Sequence, residues 1–128
     1  MKRIAFLALL ALACNRQETP QSVQNAAPQS MENSGNAARG KELINQYGCN
    51  VCHVVPGVDG PAGILGPSLA GMASRPTISN GVVQNTPENL LKFIQNPPTV
   101  NPQSAMPPPM GMTPDDAKDL VAFLQTLK

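Results

Sequence analysis

The sequence has no tryptophan, and beyond its first thirteen residues its only aromatic side chains are Tyr47, Phe93 and Phe123. A core in so short a chain, 128 residues, cannot be filled by large rings, so a single modest domain must draw part of its interior from elsewhere. Charge is scarce as well. Lys, Arg, Asp and Glu make up 13% of residues and show no basic stripe, which excludes nucleic acid as a partner. There is one histidine, no carboxylate pair beside it, no nucleophile with a base and no phosphate-cradling glycine loop, so catalysis by the chain's own side chains is not expected and it is not read as an enzyme. No convincing strand alternation occurs. The 14 prolines and 10 glycines instead announce long irregular stretches.

The amino terminus reads as an export signal. Met1-Lys2-Arg3 precedes an apolar run from Ile4 to Ala13 that is too short to span a bilayer and ends in small residues before Cys14. Removing residues 1–13 leaves seven basic against eight acidic residues, a near-neutral chain on which local patches could still steer a protein partner. Cys14 has two readings. Ala11-Leu12-Ala13 suits ordinary cleavage, while Leu10-Ala11-Leu12-Ala13-Cys14 resembles a bacterial lipoprotein signal whose Cys becomes the lipid-bearing first residue, with Ala11 where such signals usually have Leu. Lipid attachment at Cys14 is the favoured reading, because an exported thiol left free at that position is open to oxidation. Residues 14–36, rich in Gln, Asn, Ser, Pro and Ala, are expected to be a disordered tether to a membrane.

From residue 37 to 128 one domain with three main helices is expected. Gly40, Leu43, Ile44 and Tyr47 form one apolar stripe that Gly48 closes. Thr86-Pro87-Glu88 supplies a cap, a first-turn proline and an acid for a second helix through Ile94, stopped by Asn96-Pro97-Pro98. Thr113-Pro114-Asp115-Asp116 repeats that opening before Ala117, Leu120, Val121, Leu124 and Leu127, with Phe123 beside the stripe. Residues 54–85 and 97–112 lie between as Pro/Gly-rich loops too long for simple turns unless they wrap something.

Cys49-Asn50-Val51-Cys52-His53 carries the chemistry. Cys-x-x-Cys-His is a c-type haem attachment pattern: two thiols three positions apart can each add to a vinyl group of the ring, and the next residue offers an imidazole to the iron. His53, the only histidine, is then the proximal ligand. A thioredoxin-type pair needs a βαβ setting that Val54-Val55-Pro56-Gly57 does not give; a structural zinc would be a ligand short; a disulfide across two residues would be strained. For the opposite side of the iron a Met sulfur is the usual donor in electron-transfer haems. Met31 falls in the tether and Met72 in what reads as packed loop. Met106, stiffened by Pro107-Pro108-Pro109 and set before the last helix, is favoured over Met110, with Met112 read as core.

Taken in order, these pieces resemble a class I bacterial cytochrome c over residues 37–128. Gly40-Lys41-Glu42-Leu43, Tyr47-Gly48-Cys49, Gly66-Pro67-Ser68-Leu69, Ala105-Met106-Pro107 and the stretch from Thr113 to Leu127 match the family's motifs in their usual order. The resemblance implies an all-α cytochrome c fold around one covalent haem c. It also implies a Pro67 carbonyl bonded to His53, Arg75 near a haem propionate, and a Gly40 that lets the first helix cross closely over the last. Asn85-Thr86-Pro87-Glu88-Asn89-Leu90, Gln95-Asn96-Pro97 and Asn101-Pro102-Gln103 are more narrowly similar to cytochromes that serve haem–copper oxidases, although Phe93 stands where many of those have Trp and no copper-site motif is present.

By the same resemblance the chain is expected to be a monomeric single-electron carrier in a respiratory chain, held in the periplasm or on the outer face of the cytoplasmic membrane. A quinol-oxidising complex would be its donor and a terminal oxidase its acceptor. The alternative is a haem enzyme or ligand-binding haem protein, peroxidase-like or gas-binding, with a labile distal Met.

Overall fold

The computed structural model describes residues 35–128. The signal segment, Cys14, Met31 and the rest of the tether up to residue 34 lie outside the described residues. Three longer helices carry the fold: α1 (Ala37–Gln46), α3 (Pro87–Gln95) and α5 (Pro114–Leu124). Two single-turn helices, α2 (Cys49–Cys52) and α4 (Pro97–Val100), and a 3-10 turn at Met72–Ser74 sit between them. No described helix is long and apolar enough to cross a membrane.

Two of the long helices, α3 and α5, begin where their sequence says they should. Thr86 and Thr113 adopt extended φ/ψ and accept the backbone N–H of Asn89 and Asp116, each at 3.1 Å, with proline in the first turn of both helices. Asn36, at the end of the compositional tether, does the same for α1 through Arg39. Gly48, in the left-handed region at φ 68°, turns the chain from α1 into α2.

The core lies where α5 meets α1 and α3. Leu43 and Ile44 of α1, Leu90 and Ile94 of α3, and Ala117, Leu120, Val121, Phe123, Leu124 and Leu127 at the carboxyl end are buried together. Each fully buried aliphatic chain contributes about 1.5–3 kcal/mol. A Cβ placed on Gly40 would come within 2.6 Å of the Asp119 carbonyl carbon and 2.9 Å of Phe123 Cβ, so only glycine permits this crossing. Charge reinforces it: the Arg39 guanidinium bridges Asp116 and Asp119, Tyr47 donates to Asp116 at 2.6 Å, and the Asn36 N–H donates to Asp119 at 2.5 Å.

Besides the single turns at Cys49–Cys52 and Met72–Ser74, the structure adds α4 and a short strand pair to the expected helices. Pro97-Pro98 ends α3 and also opens α4, because a fixed φ near −65° suits a first helical turn as well as it interrupts a helix interior. Thr77–Ile78 and Val83–Gln84 pair antiparallel, Thr77 opposite Gln84 and Ile78 opposite Val83. Two-residue strands have no alternation to read. Their pairing is set by the intervening turn, in which Ser79, Asn80 and Gly81 all take positive φ.

Candidate functional site

Cys49 and Cys52 sit one helical turn apart on α2, so both thiols leave the same side of the turn. Both are free and half-buried. Burial raises the Cys49 thiol above its ordinary value and keeps it protonated at neutral pH. His53 ends the turn in an extended conformation (φ −113°, ψ 143°), which swings its side chain out of the helical path. Its Nδ1 lies 2.7 Å from the Pro67 carbonyl oxygen. A carbonyl can only accept, so Nδ1 carries the proton and Nε2 keeps its lone pair for a metal.

Backbone bonds hold the loop against this ring. The N–H of Gly63 donates to Asn50 O at 3.0 Å, that of Gly66 to Cys52 O at 2.8 Å, and that of Leu69 to Val54 O at 2.8 Å. The glycines are required by distance. A Cβ on Gly66 would stand 2.5 Å from His53 Nδ1 and 2.9 Å from Nε2, and one on Gly63 2.7 Å from the Cys52 carbonyl carbon. Asn50, buried between the two cysteines, donates to Asn45 Oδ1 at 2.5 Å and so keeps its amide satisfied. Two reduced thiols on one side of a turn, an imidazole of fixed tautomer and a loop bonded closely against it suit a porphyrin that Cys49 and Cys52 would hold covalently and to whose iron His53 would offer a nitrogen.

The remaining candidates are spread over the loops. Arg75 donates to the carbonyls of Ser68 and Ala70 at 2.5 and 2.8 Å, bracing the turn that follows Pro67. Asn85 continues that brace, donating to Met72 O and Arg75 O at 2.8 and 3.0 Å. Met106 is half-buried, with its N–H on the Ser104 hydroxyl at 3.3 Å, whereas Met110 is 93% exposed. Met112 packs against the core and Met72 is buried within it. Asn50, Gly63 and Asn85 are residues that sequence reasoning missed. Asn50 could have been suspected from its place inside the Cys-x-x-Cys pair and Asn85 from its place at the head of the Asn85-to-Leu90 motif, while Gly63 left no readable signal.

The family model described as Cytochrome c matches residues 37–128. A cytochrome c2 of Rhodopila globiformis is 31% identical over 107 residues, covering 73% of this chain and 95% of that protein. Cytochrome c2 iso-2 of Magnetospirillum molischianum is 35% identical over 62% of this chain and 91% of its own length. Cytochrome c oxidase subunit 2 of Alkalihalophilus pseudofirmus is 27% identical over 97% of this chain, which spans 35% of that relative's length. Among solved structures, ferric cytochrome c-550 of Paracoccus versutus shares the fold with a TM-score of 0.57 at 23% identity, covering 73% of this chain and 98% of that one. With the family pattern on the sequence and the thiol–imidazole turn in the structure, the chain belongs to the cytochrome c family: it bears one covalently bound haem c and works as an electron carrier between redox proteins, not as an enzyme.

Proposed function

We propose that this chain is an exported respiratory electron carrier in which Cys49 and Cys52 hold the haem, His53 and Met106 ligate its iron, and a terminal oxidase accepts the electrons. The observation that carries the reading is the α2 turn, with two free thiols on one side and His53 fixed by Pro67 at 2.7 Å. The bound haem supplies a one-electron iron couple. The residues around it hold ligands still: the Pro67 carbonyl keeps the imidazole in one tautomer and one orientation, and Gly66 leaves room for the ring to lie flat. Prolines 107–109 restrict the backbone that presents the Met106 sulfur, and its half-buried position favours it over the exposed Met110. Arg75 braces the proximal loop through Ser68 and Ala70, and by family likeness its guanidinium also faces a propionate.

The oxidase as acceptor is supported by the match to an oxidase subunit 2 and by the motifs shared with cytochromes that serve such enzymes. A quinol-oxidising complex as donor accords with the same placement. Export, cleavage after residue 13 and a lipid on Cys14 with residues 14–36 as tether complete the proposal, and they keep the carrier beside the membrane that holds both partners.

Mass spectrometry of protein matured in a host with active haem-attachment machinery tests both modifications at once. One haem on Cys49 and Cys52 and a lipid on Cys14 are expected; unmodified Cys49 and Cys52 in such material would falsify the reading. The spectrum tests the ligands. A low-spin haem in both oxidation states with a sulfur-to-iron charge-transfer band is expected, lost in Met106→Ala and kept in Met110→Ala. A high-spin ferric haem in the intact protein would instead point to an open distal position.

A further inference from the structure

Val51, Ile64 and Leu65 are left 58%, 89% and 86% exposed, and the backbone ties them together. Gly63 donates to Asn50 O and Gly66 to Cys52 O, so Ile64-Leu65 is a two-residue projection pinned at both ends to the haem-attachment turn. Val51 stands between the two cysteines in sequence, two residues after Cys49 and one before Cys52. At about 100° per residue it points away from the side that carries both thiols. Scattered single apolar residues on a surface mean little, but three held against one functional segment form a patch.

The electrostatic setting is as informative as the patch. From Leu43 to Ser74 the only Asp, Glu, Lys or Arg is Asp59. Elsewhere among the described residues Arg39 is engaged with Asp116 and Asp119, Lys92 with Glu88, Lys118 with Asp115, and Arg75 with the Ser68 and Ala70 carbonyls, while the neighbouring Lys41 and Glu42 on α1 carry opposite signs and Lys128 ends the chain. A carrier steered by charge needs a field of one sign around its exit edge, and these loops provide none. Because both ends of the projection are already hydrogen-bonded, docking on it costs little ordering.

We propose that Val51, Ile64 and Leu65 form the docking surface for the electron-accepting protein, which meets them with an apolar, uncharged face next to its own redox centre. The inference rests on the oxidase reading above and names the chemistry of that partner's surface. Electron transfer through it makes and breaks no bond: the reduced haem loses one electron and the acceptor gains it.

The test uses the full-length haem-bearing protein, chemically reduced, with oxidase-containing membranes of the organism that makes it as the acceptor. Ferricyanide serves as a small acceptor that needs no docking surface. The bimolecular oxidation rate by membranes is expected to vary less than about twofold between roughly 10 and 200 mM salt, where a charge-steered pair falls steeply. Ile64→Ser with Leu65→Ser should lower that rate at least about tenfold, the effect of losing anchors at the centre of an interface, and leave the spectrum and the ferricyanide rate unchanged. Val51→Ser alone should lower it less. A steep fall with salt, or an unchanged rate in the double variant, overturns the docking surface while the oxidase reading stands. No oxidation of the intact protein by membranes at any salt overturns both. If the double variant instead loses binding to neutral phosphatidylcholine vesicles, or dissociates a dimer in sedimentation, with membrane oxidation intact, the patch belongs to lipid or to a second copy and the proposal fails.

Discussion

The crossing of α1 and α5 and the loops from His53 to Asn85 share one core but are held with different emphasis. At the crossing, side chains do the holding: Leu43, Ile44, Leu120, Phe123 and Leu124 are buried, and Arg39 closes the edge over Asp116 and Asp119. In the loops Val55, Leu69, Met72 and Ile78 also reach the core, but the segment around His53 is held by backbone N–H donors of Gly63, Gly66 and Leu69 and by side-chain amides and guanidinium bonded to carbonyls, while Ile64 and Leu65 face water. One region stabilises itself by burial. The other adds to its four buried side chains a set of bonds that fix the position of an imidazole, and a bound haem would supply further apolar contact there.

Substituting two of the crowded glycines, one in each region, is the most forceful way to break this contrast. Gly40→Val would press a branched side chain into Asp119 and Phe123 and force the helices apart, costing roughly 3 kcal/mol, with the haem spectrum of the surviving folded fraction unchanged. Gly66→Ala should do the reverse. Its Cβ collides with the His53 ring, so the bond to Pro67 is lost, the reduction potential and spectrum change, and stability falls by only about 1–2 kcal/mol. Chemical denaturation followed separately by far-UV circular dichroism and haem absorbance checks both. Equal spectral effects of the two variants would mean that the regions are not distinct.

Acid should act on the crossing first. The bond from Tyr47, aided by Thr113 and Arg39, holds the Asp116 carboxyl down from 3.8 to about 2. Asp119 is lowered too, chiefly by the Asn36 N–H and then by Arg39. A carboxylate whose folded-state value is depressed stabilises the fold above its unfolded value and loses that contribution as pH falls toward the folded one. The melting temperature of the haem protein should therefore drop between about pH 4 and pH 2. In Asp116→Asn it should start lower at neutral pH and fall less across that window. An unchanged acid limb in the variant would remove Asp116 from the cause.

The same contrast decides what could be read from sequence. Local signals sufficed for the self-burying half: the Thr-Pro openings of α3 and α5 and the stripe from Leu43 to Tyr47 each lie within a few residues of what they specify. The Cys-x-x-Cys-His turn was legible for the same reason. What stayed hidden depends on distant partners or single contacts. Arg39 meets carboxylates about eighty residues away. Gly63 matters because of one carbonyl on α2, Asn85 because of two carbonyls across a loop, and the two-residue ladder because of three positive φ values in its turn. None of these leaves a period or a composition that a window along the chain detects.

The smallest effect offers the finest comparison, because Thr86 and Thr113 make the same cap with the same 3.1 Å bond in different surroundings. Replacing either by Ala removes one acceptor from a helix start, which costs about 1 kcal/mol in the absence of coupling. Beyond that the surroundings differ. Thr86 caps Asn89 on a helix that opens at the surface, while Thr113 caps Asp116, which is buried and already bound by Tyr47 and Arg39. Releasing the Asp116 N–H would loosen the residue on which the crossing's charges converge, so Thr113→Ala should cost more than Thr86→Ala. In an Arg39→Ala background, where that convergence is already broken, the difference should shrink. A double-mutant cycle by thermal denaturation reads the coupling directly. Equal losses from both Thr variants, unaltered by Arg39→Ala, would show that cap and ion pairs act independently.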